Sequence, residues 1–121
     1  CFSGPLVLSE VSGISPFCCY GQFSRLAGAD AAIFTSFGGR FPFTEEVCRK
    51  ICNGTETEMG GLRSIFPVPS GGMKWQLFKK MVQVYGPDAI FLVGGALLTE
   101  SDDLTANMHF YFEKLNEAVN K

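Results

Sequence analysis

The chain has 121 residues, enough for one domain at most or for part of one. Its 10 basic and 12 acidic side chains leave a net charge of −2, which gives no reason to expect nucleic acid or an anionic membrane as partner. The apolar share of 46% is that of an ordinary globular chain; no apolar run approaches the roughly 20 residues of a membrane span, and no signal-peptide pattern is present.

In chain order, Pro5 to Glu10 alternates and turns at Ser12-Gly13, predicting a short first strand. Ser15 is placed to cap a helix with Pro16 at its first position. Phe17, Tyr20, Phe23 and Ala27 then share one helical face, and Gly28 ends the helix. Ala31 to Ser36 reads as the second strand, followed by the loop Phe37 to Phe43. Thr44 caps the next helix, with Glu45 and Glu46 in its first turn and Val47, Cys48, Ile51 and Cys52 facing inward. Asn53 to Gly61 is polar, Gly-rich and irregular, and is expected to be the most mobile stretch.

Ser64 to Val68 is the third expected strand. Its helix carries Trp75, Phe78, Met81, Val82 and Tyr85 at core spacing and stops at Gly86-Pro87. Ala89 to Val93 is the fourth. Thr99 with Asp102 resembles a capping box for a last helix that buries Leu104, Met108, Tyr111, Phe112, Leu115 and Val119. His109 falls beside that face and reads as a packing or surface residue.

Cys1, Cys18, Cys19, Cys48 and Cys52 form an odd set with no regular framework. They read as reduced thiols, predicting a cytoplasmic protein. Cys48 and Cys52 stand one helical turn apart, but no His or second pair lies nearby in sequence to complete a metal site, so both read as buried thiols. A redox protein built on Cys18-Cys19 is disfavoured, because the pair lacks the usual two-residue spacer. The missing initiator Met suggests a chain that begins partway through a longer protein.

The stretch Phe66-Pro67-Val68-Pro69-Ser70-Gly71-Gly72-Met73 organises the rest. Pro67 and Pro69 hold the chain extended. Gly71 and Gly72 let backbone amides approach a ligand, and the helix predicted from Lys74 would put them at its N-terminus, where anions are favoured. Gly94-Gly95 repeats the arrangement after the fourth strand. Two such units suggest a grip on one phosphate; two ordinary tight turns are the alternative.

Four βα units in succession predict a parallel sheet covered by helices, with right-handed connections. They make either the second half of a (β/α)8 barrel, which takes about 250 residues in full, or a small open α/β sheet. In both, ligands sit at the C-terminal ends of the strands.

These motifs resemble the RuBisCO superfamily, specifically the RuBisCO-like proteins. The resemblance rests on Arg25-Leu26-Ala27-Gly28-Ala29-Asp30, then Gly38-Gly39-Arg40-Phe41, then Pro67 to Met73, then Tyr85-Gly86-Pro87-Asp88 and Leu92-Val93-Gly94-Gly95. It implies that residues 1–121 are strands five to eight of the C-terminal barrel domain. It also places Arg40 where the family has a mobile-loop lysine approaching the reacting enolate, though a guanidinium is not an equivalent acid. Ser70, Gly71 and Gly72 match a turn contacting substrate oxygens and a phosphate; Gly94 and Gly95 match phosphate-holding amides.

The departures are a strand-five histidine, replaced near Leu8, and Lys74, where the carboxylase has a histidine-containing segment. The family's Mg²⁺ ligands lie on an earlier strand, so none is expected here, and Glu10 reads as a polar loop residue. The resemblance implies an enzyme segment, inactive alone, acting on a phosphorylated sugar or sugar acid through a Mg²⁺-stabilised enediolate, as an isomerase, enolase or decarboxylase. Its expected partners are the remainder of the barrel and a second copy in a homodimer. The alternative is a non-catalytic phosphate-binding half-barrel or assembly module.

Overall fold

The computed structural model describes residues 13–120. The first expected strand, with Cys1, Leu8 and Glu10, lies outside the described residues.

Phe17–Gln22 winds as a π-helix and runs into α1, Phe23–Leu26. The Ser15 hydroxyl accepts from the Cys18 amide at 3.3 Å, as a cap should. The expected α-helical face is not kept: Tyr20 and Gly21 are buried, whereas Phe23 and Ala27 are exposed. Hydrogen bonds of the i→i+5 kind, such as Phe23 N–H to the Cys18 carbonyl, shift the phase of the winding. Gly21 then becomes the contact point, because a Cβ there would lie 2.4 Å from the carbonyl carbon of Gly54.

β1 is Ala31–Thr35 and α2 is Glu45–Glu56. Thr44 caps α2, its hydroxyl accepting from the Val47 amide at 3.2 Å. Cys48 and Cys52 are buried on its inner face. Burial pushes the Cys52 thiol up to about 12.

The Asn53 to Gly61 stretch departs from expectation. α2 continues through Glu56, with Gly54 and Thr55 buried. Gly54 is needed where it is, since a Cβ would lie 2.4 Å from the Phe17 carbonyl oxygen. Arg25, only 4% exposed, then ties down the following loop. Its guanidinium donates to the carbonyls of Gly54, Thr57, Leu62 and Arg63. The end of a helix leaves carbonyls without intrahelical donors, and a five-donor fork can meet several at once.

β2, Phe66–Ser70, begins two residues later than the Ser64 expected. Ile65 N–H is already committed to the Thr55 carbonyl, and the ladder opens with Phe66 N–H donating to Asp30. β1 and β2 pair in parallel, from Ala31 opposite Phe66 to Thr35 opposite Ser70.

The expected fourth strand, Ala89 to Val93, is reduced to one parallel bridge between Ser70 and Leu92. Ile90 and Leu92 donate to the carbonyls of Pro67 and Pro69 at 3.0 and 3.1 Å. Ile90 gets no return bond, because the residue opposite its carbonyl is Pro69, which has no N–H. The described residues are therefore a mixed α/β fold around a small parallel sheet.

A 3₁₀ turn, Trp75–Leu77, leads into α3, Phe78–Tyr85; α4 is Gly95–Leu98 and α5 is Leu104–Val119. α5 is capped by Asp103, which accepts from the Thr105 and Ala106 amides, and not by Thr99, whose hydroxyl turns back to the Gly95 carbonyl. The core between the sheet and α2, α3 and α5 centres on Phe34, Ile51, Met73, Phe78 and Met81.

Of the residues expected inside α5, Tyr111 is buried, but Leu104, Met108, Phe112 and Val119 are exposed. His109 is exposed as well. The sheet face turned from the helices is also uncovered: Ile33 is 53% exposed, Phe66 50%, Ile90 48% and Leu92 45%. None of the helices among the described residues is long and apolar enough to cross a membrane.

The Gly21–Gly54 contact predicts that Gly54→Ala forces the π-helix and α2 apart. The expected loss is about 1–3 kcal/mol in denaturant unfolding; an unchanged midpoint would mean that the two segments are not seated backbone to backbone.

Candidate functional site

Three segments leave the sheet at the same level. The β1–β2 register sends Ser36 and Gly71 off together, and Ser36 N–H donates to the Ser70 carbonyl at 2.8 Å. The bridge from Ser70 to Leu92 brings in the third. These exits carry Gly38-Gly39-Arg40, Ser70-Gly71-Gly72 and Gly94-Gly95, at the C-terminal ends of the strands.

Five of the six residues singled out in the sequence are brought together. Ser70, Gly71, Gly72, Gly94 and Gly95 line one cavity of about 270 Å³. Arg40 is not among its lining residues. Its side chain is exposed, with the guanidinium carbon 5.1 Å from the centre of the Phe41 ring. A larger cavity of about 610 Å³ opens at the other end of β2, beside Arg49, Asn53, Gln83 and Asp88. It gathers neither glycine pair.

The Arg40 loop is seated on the β2 turn. Gly72 has φ +67°, and a Cβ on it would lie 2.5 Å from both Cα and N of Gly39. A Cβ on Gly39 would press on the Gly71 carbonyl at 3.3 Å. Backbone rests on backbone, so the loop is seated directly on the turn. Gly94 and Gly95 differ: among the described residues, nothing lies within 4 Å of a Cβ built on either.

The helix-dipole part of the expectation is corrected. Lys74 is extended (φ −80°, ψ 136°), and winding begins only at Trp75, so Gly71 and Gly72 do not start a helix. Gly94 precedes a helix of only 4 residues. Amides alone are on offer: outside the helices and strands, no backbone carbonyl among the described residues accepts from Gly72 or Gly94.

Two residues that the sequence did not mark lie beneath the loop. Ser36 is fully buried and Tyr85 4% exposed, with their hydroxyl oxygens 2.7 Å apart. Tyr85 reads as a core position by spacing, and Ser36 as the last residue of a strand. A hydroxyl on each, one just past a strand and one at a helix end, is the one signal that could have flagged them.

No family model matches the chain. The 5-methylthioribulose-1-phosphate isomerase of Rhodospirillum rubrum is 42% identical over 98 residues, which is 81% of this chain and 26% of that protein. The 2,3-diketo-5-methylthiopentyl-1-phosphate enolase of Geobacillus thermodenitrificans is 35% identical over 96 residues, 79% of this chain and 23% of that protein. The crystal structure of a rubisco-like protein from Alicyclobacillus acidocaldarius matches with a TM-score of 0.82 at 28% identity, over 93% of this chain and 29% of that one. The chain thus spans 23% to 29% of these proteins. The matches agree with the resemblance read from the glycine motifs.

The two glycine pairs should respond differently to a methyl group. Gly72→Ala meets both a positive φ and the Gly39 backbone, and should cost about 1–3 kcal/mol. Gly95→Ala, with open space at its Cβ, should leave the unfolding midpoint unchanged. Equal midpoints for the two variants would refute the packing described.

Proposed function

We propose that this chain, whose sequence relatives and structural neighbours are RuBisCO-like proteins, is the phosphate-holding part of an enzyme that acts on a phosphorylated sugar or sugar acid. In this reading residues 1–121 form strands five to eight, four βα units making the second half of a (β/α)8 barrel. The parallel pairing, the uncovered apolar face of the sheet and the uncovered face of α5 support it, since a second half would cover both. The proposed partners are that remainder and a second copy of the whole protein, in the cytoplasm.

The observation that carries the reading is the shared cavity between Gly71-Gly72 and Gly94-Gly95. Backbone N–H groups donate well to anions, and a glycine leaves room for the phosphate oxygens. Neither packing nor a positive φ demands a glycine at position 95 among the described residues. A ligand occupying that space supplies a reason. In this reading Ser70, which lines the cavity, bonds a substrate hydroxyl, and Arg40, outside the lining, offsets negative charge developing on the substrate.

The relatives' names point to substrates of the methylthio-pentulose phosphate kind and to isomerase or enolase chemistry. Mg²⁺ is the proposed cofactor, and it would acidify the carbon next to a bound carbonyl. Among the described residues no three His, Cys, Asp or Glu side chains are grouped to hold a metal ion. The proposal accordingly puts the ligands in the rest of the barrel.

In the complete protein, Gly95→Val should weaken binding of a pentulose phosphate on the order of 10- to 100-fold in a calorimetric titration, the loss of one or two charge-assisted hydrogen bonds. Unfolding should be unaffected. Unchanged affinity would remove the site.

Arg40→Ala should lower kcat by more than it weakens binding. Equal losses in both would make Arg40 a ground-state contact only.

A further inference from the structure

The root of the Arg40 loop is held by a set of polar contacts that the phosphate reading does not use. The Tyr85 hydroxyl lies 2.7 Å from Ser36 Oγ, and Phe37 N–H donates to the same hydroxyl at 3.3 Å. Ser36 Oγ–H in turn donates to the Phe37 carbonyl at 3.2 Å. One proton arrangement satisfies all three: Tyr85 donates to Ser36, Ser36 donates to Phe37 O, and Phe37 N–H donates to Tyr85. The rings reinforce it, with Tyr85 5.6 Å from Phe37 and 5.9 Å from Phe34 between centroids.

Ser36 also joins this cluster to the ligand side, through its N–H to the Ser70 carbonyl at 2.8 Å. Phe37 is three residues from Arg40 and directly precedes the Gly38-Gly39 pair that rests on Gly72. A side chain from the last turn of α3 therefore fastens both the loop and the turn.

We infer that Tyr85 is a positioning residue: its hydroxyl fixes the Ser36–Phe37 root and so sets where Arg40 stands relative to a ligand held by Ser70 and the glycine pairs. The inference rests on the phosphate-site reading. Without the hydroxyl, the buried Phe37 N–H is left with only the Cys48 thiol, a weak acceptor, and the loop root loosens. Small shifts of this kind are costly when a charged group has to meet a developing charge. Burial also raises the Tyr85 hydroxyl above its ordinary range, so it stays a donor wherever the enzyme works.

The test uses the complete protein, with Tyr85→Phe, Ser36→Ala and Arg40→Ala measured singly and Tyr85→Phe combined with Arg40→Ala. Tyr85→Phe should speed amide hydrogen exchange in residues 36–41 and lower kcat on the order of 10-fold, with KM moved much less. On the Arg40→Ala background it should cost nothing further, because it acts through Arg40. Ser36→Ala should behave like Tyr85→Phe, and carries the test if the latter does not fold.

Unchanged exchange and kcat in Tyr85→Phe, with Arg40→Ala still impaired, overturns this inference alone. An equal kcat loss with and without Arg40 does the same. If Arg40→Ala costs no turnover, the charge-offsetting role of Arg40 falls, and this inference falls with it.

Discussion

No side chain fits between the Arg40 loop and the turn after β2, and the rest of the site depends on that closeness. Gly39 and Gly72 meet through their backbones, so two exits from the sheet are fused into one surface. A similar contact recurs at Gly21 and Gly54, where the π-helix meets α2. Such contacts convert a soft loop into part of the scaffold at the cost of accepting one residue type. The Ser36 amide and the Tyr85 hydroxyl complete the fastening from below. The root of the loop that carries Arg40 is thereby tied to buried polar groups.

The prolines of β2 shape the sheet in a second way. Pro67 and Pro69 accept from Ile90 and Leu92 and have no N–H to donate in turn. That half-made ladder aligns the third segment well enough to bring Gly94-Gly95 beside Gly71-Gly72, without binding it as a full strand. The same residues keep the sheet narrow. With Ile33, Phe66, Ile90 and Leu92 all near half exposed on one face, the sheet has apolar surface to bury that this chain does not cover. On the proposed reading, closure of the barrel supplies the cover.

How legible was this from the sequence? Local chemistry read well: the Thr44 and Ser15 caps, the stop at Gly86, the parallel pairing and the gathering of both glycine pairs at one strand-end cavity. Errors came where a distant partner decided the outcome. Asn53 to Gly61 looks like loose loop, since glycine and polar residues usually mark one. Arg25 and the Gly21 contact, about thirty residues away in sequence, hold it instead. The face of the first helix was misjudged because periodicity assumes α winding. The apolar stripe of α5 was read as core, yet periodicity only marks a face as apolar and does not say whether the partner lies in the same chain. Tyr85 was read as filler, because spacing reveals burial and not the hydrogen bonds of a hydroxyl.

The absence of a true helix N-terminus at either glycine turn changes what the site can do. The favourable field of a helix falls off within its first turn. After Gly72 that turn is displaced to Trp75, and after Gly94 the helix has only 4 residues. On the proposed reading, binding would come from individual amides, whose strength depends on direction and distance more than on net field. Amide donors do not titrate in the working range. A phosphate monoester does, passing to the dianion around a pKa of about 6. The pH dependence of ligand capture at such a site would therefore belong to the ligand, while the protein's part in it is fixed by the two turns of the backbone.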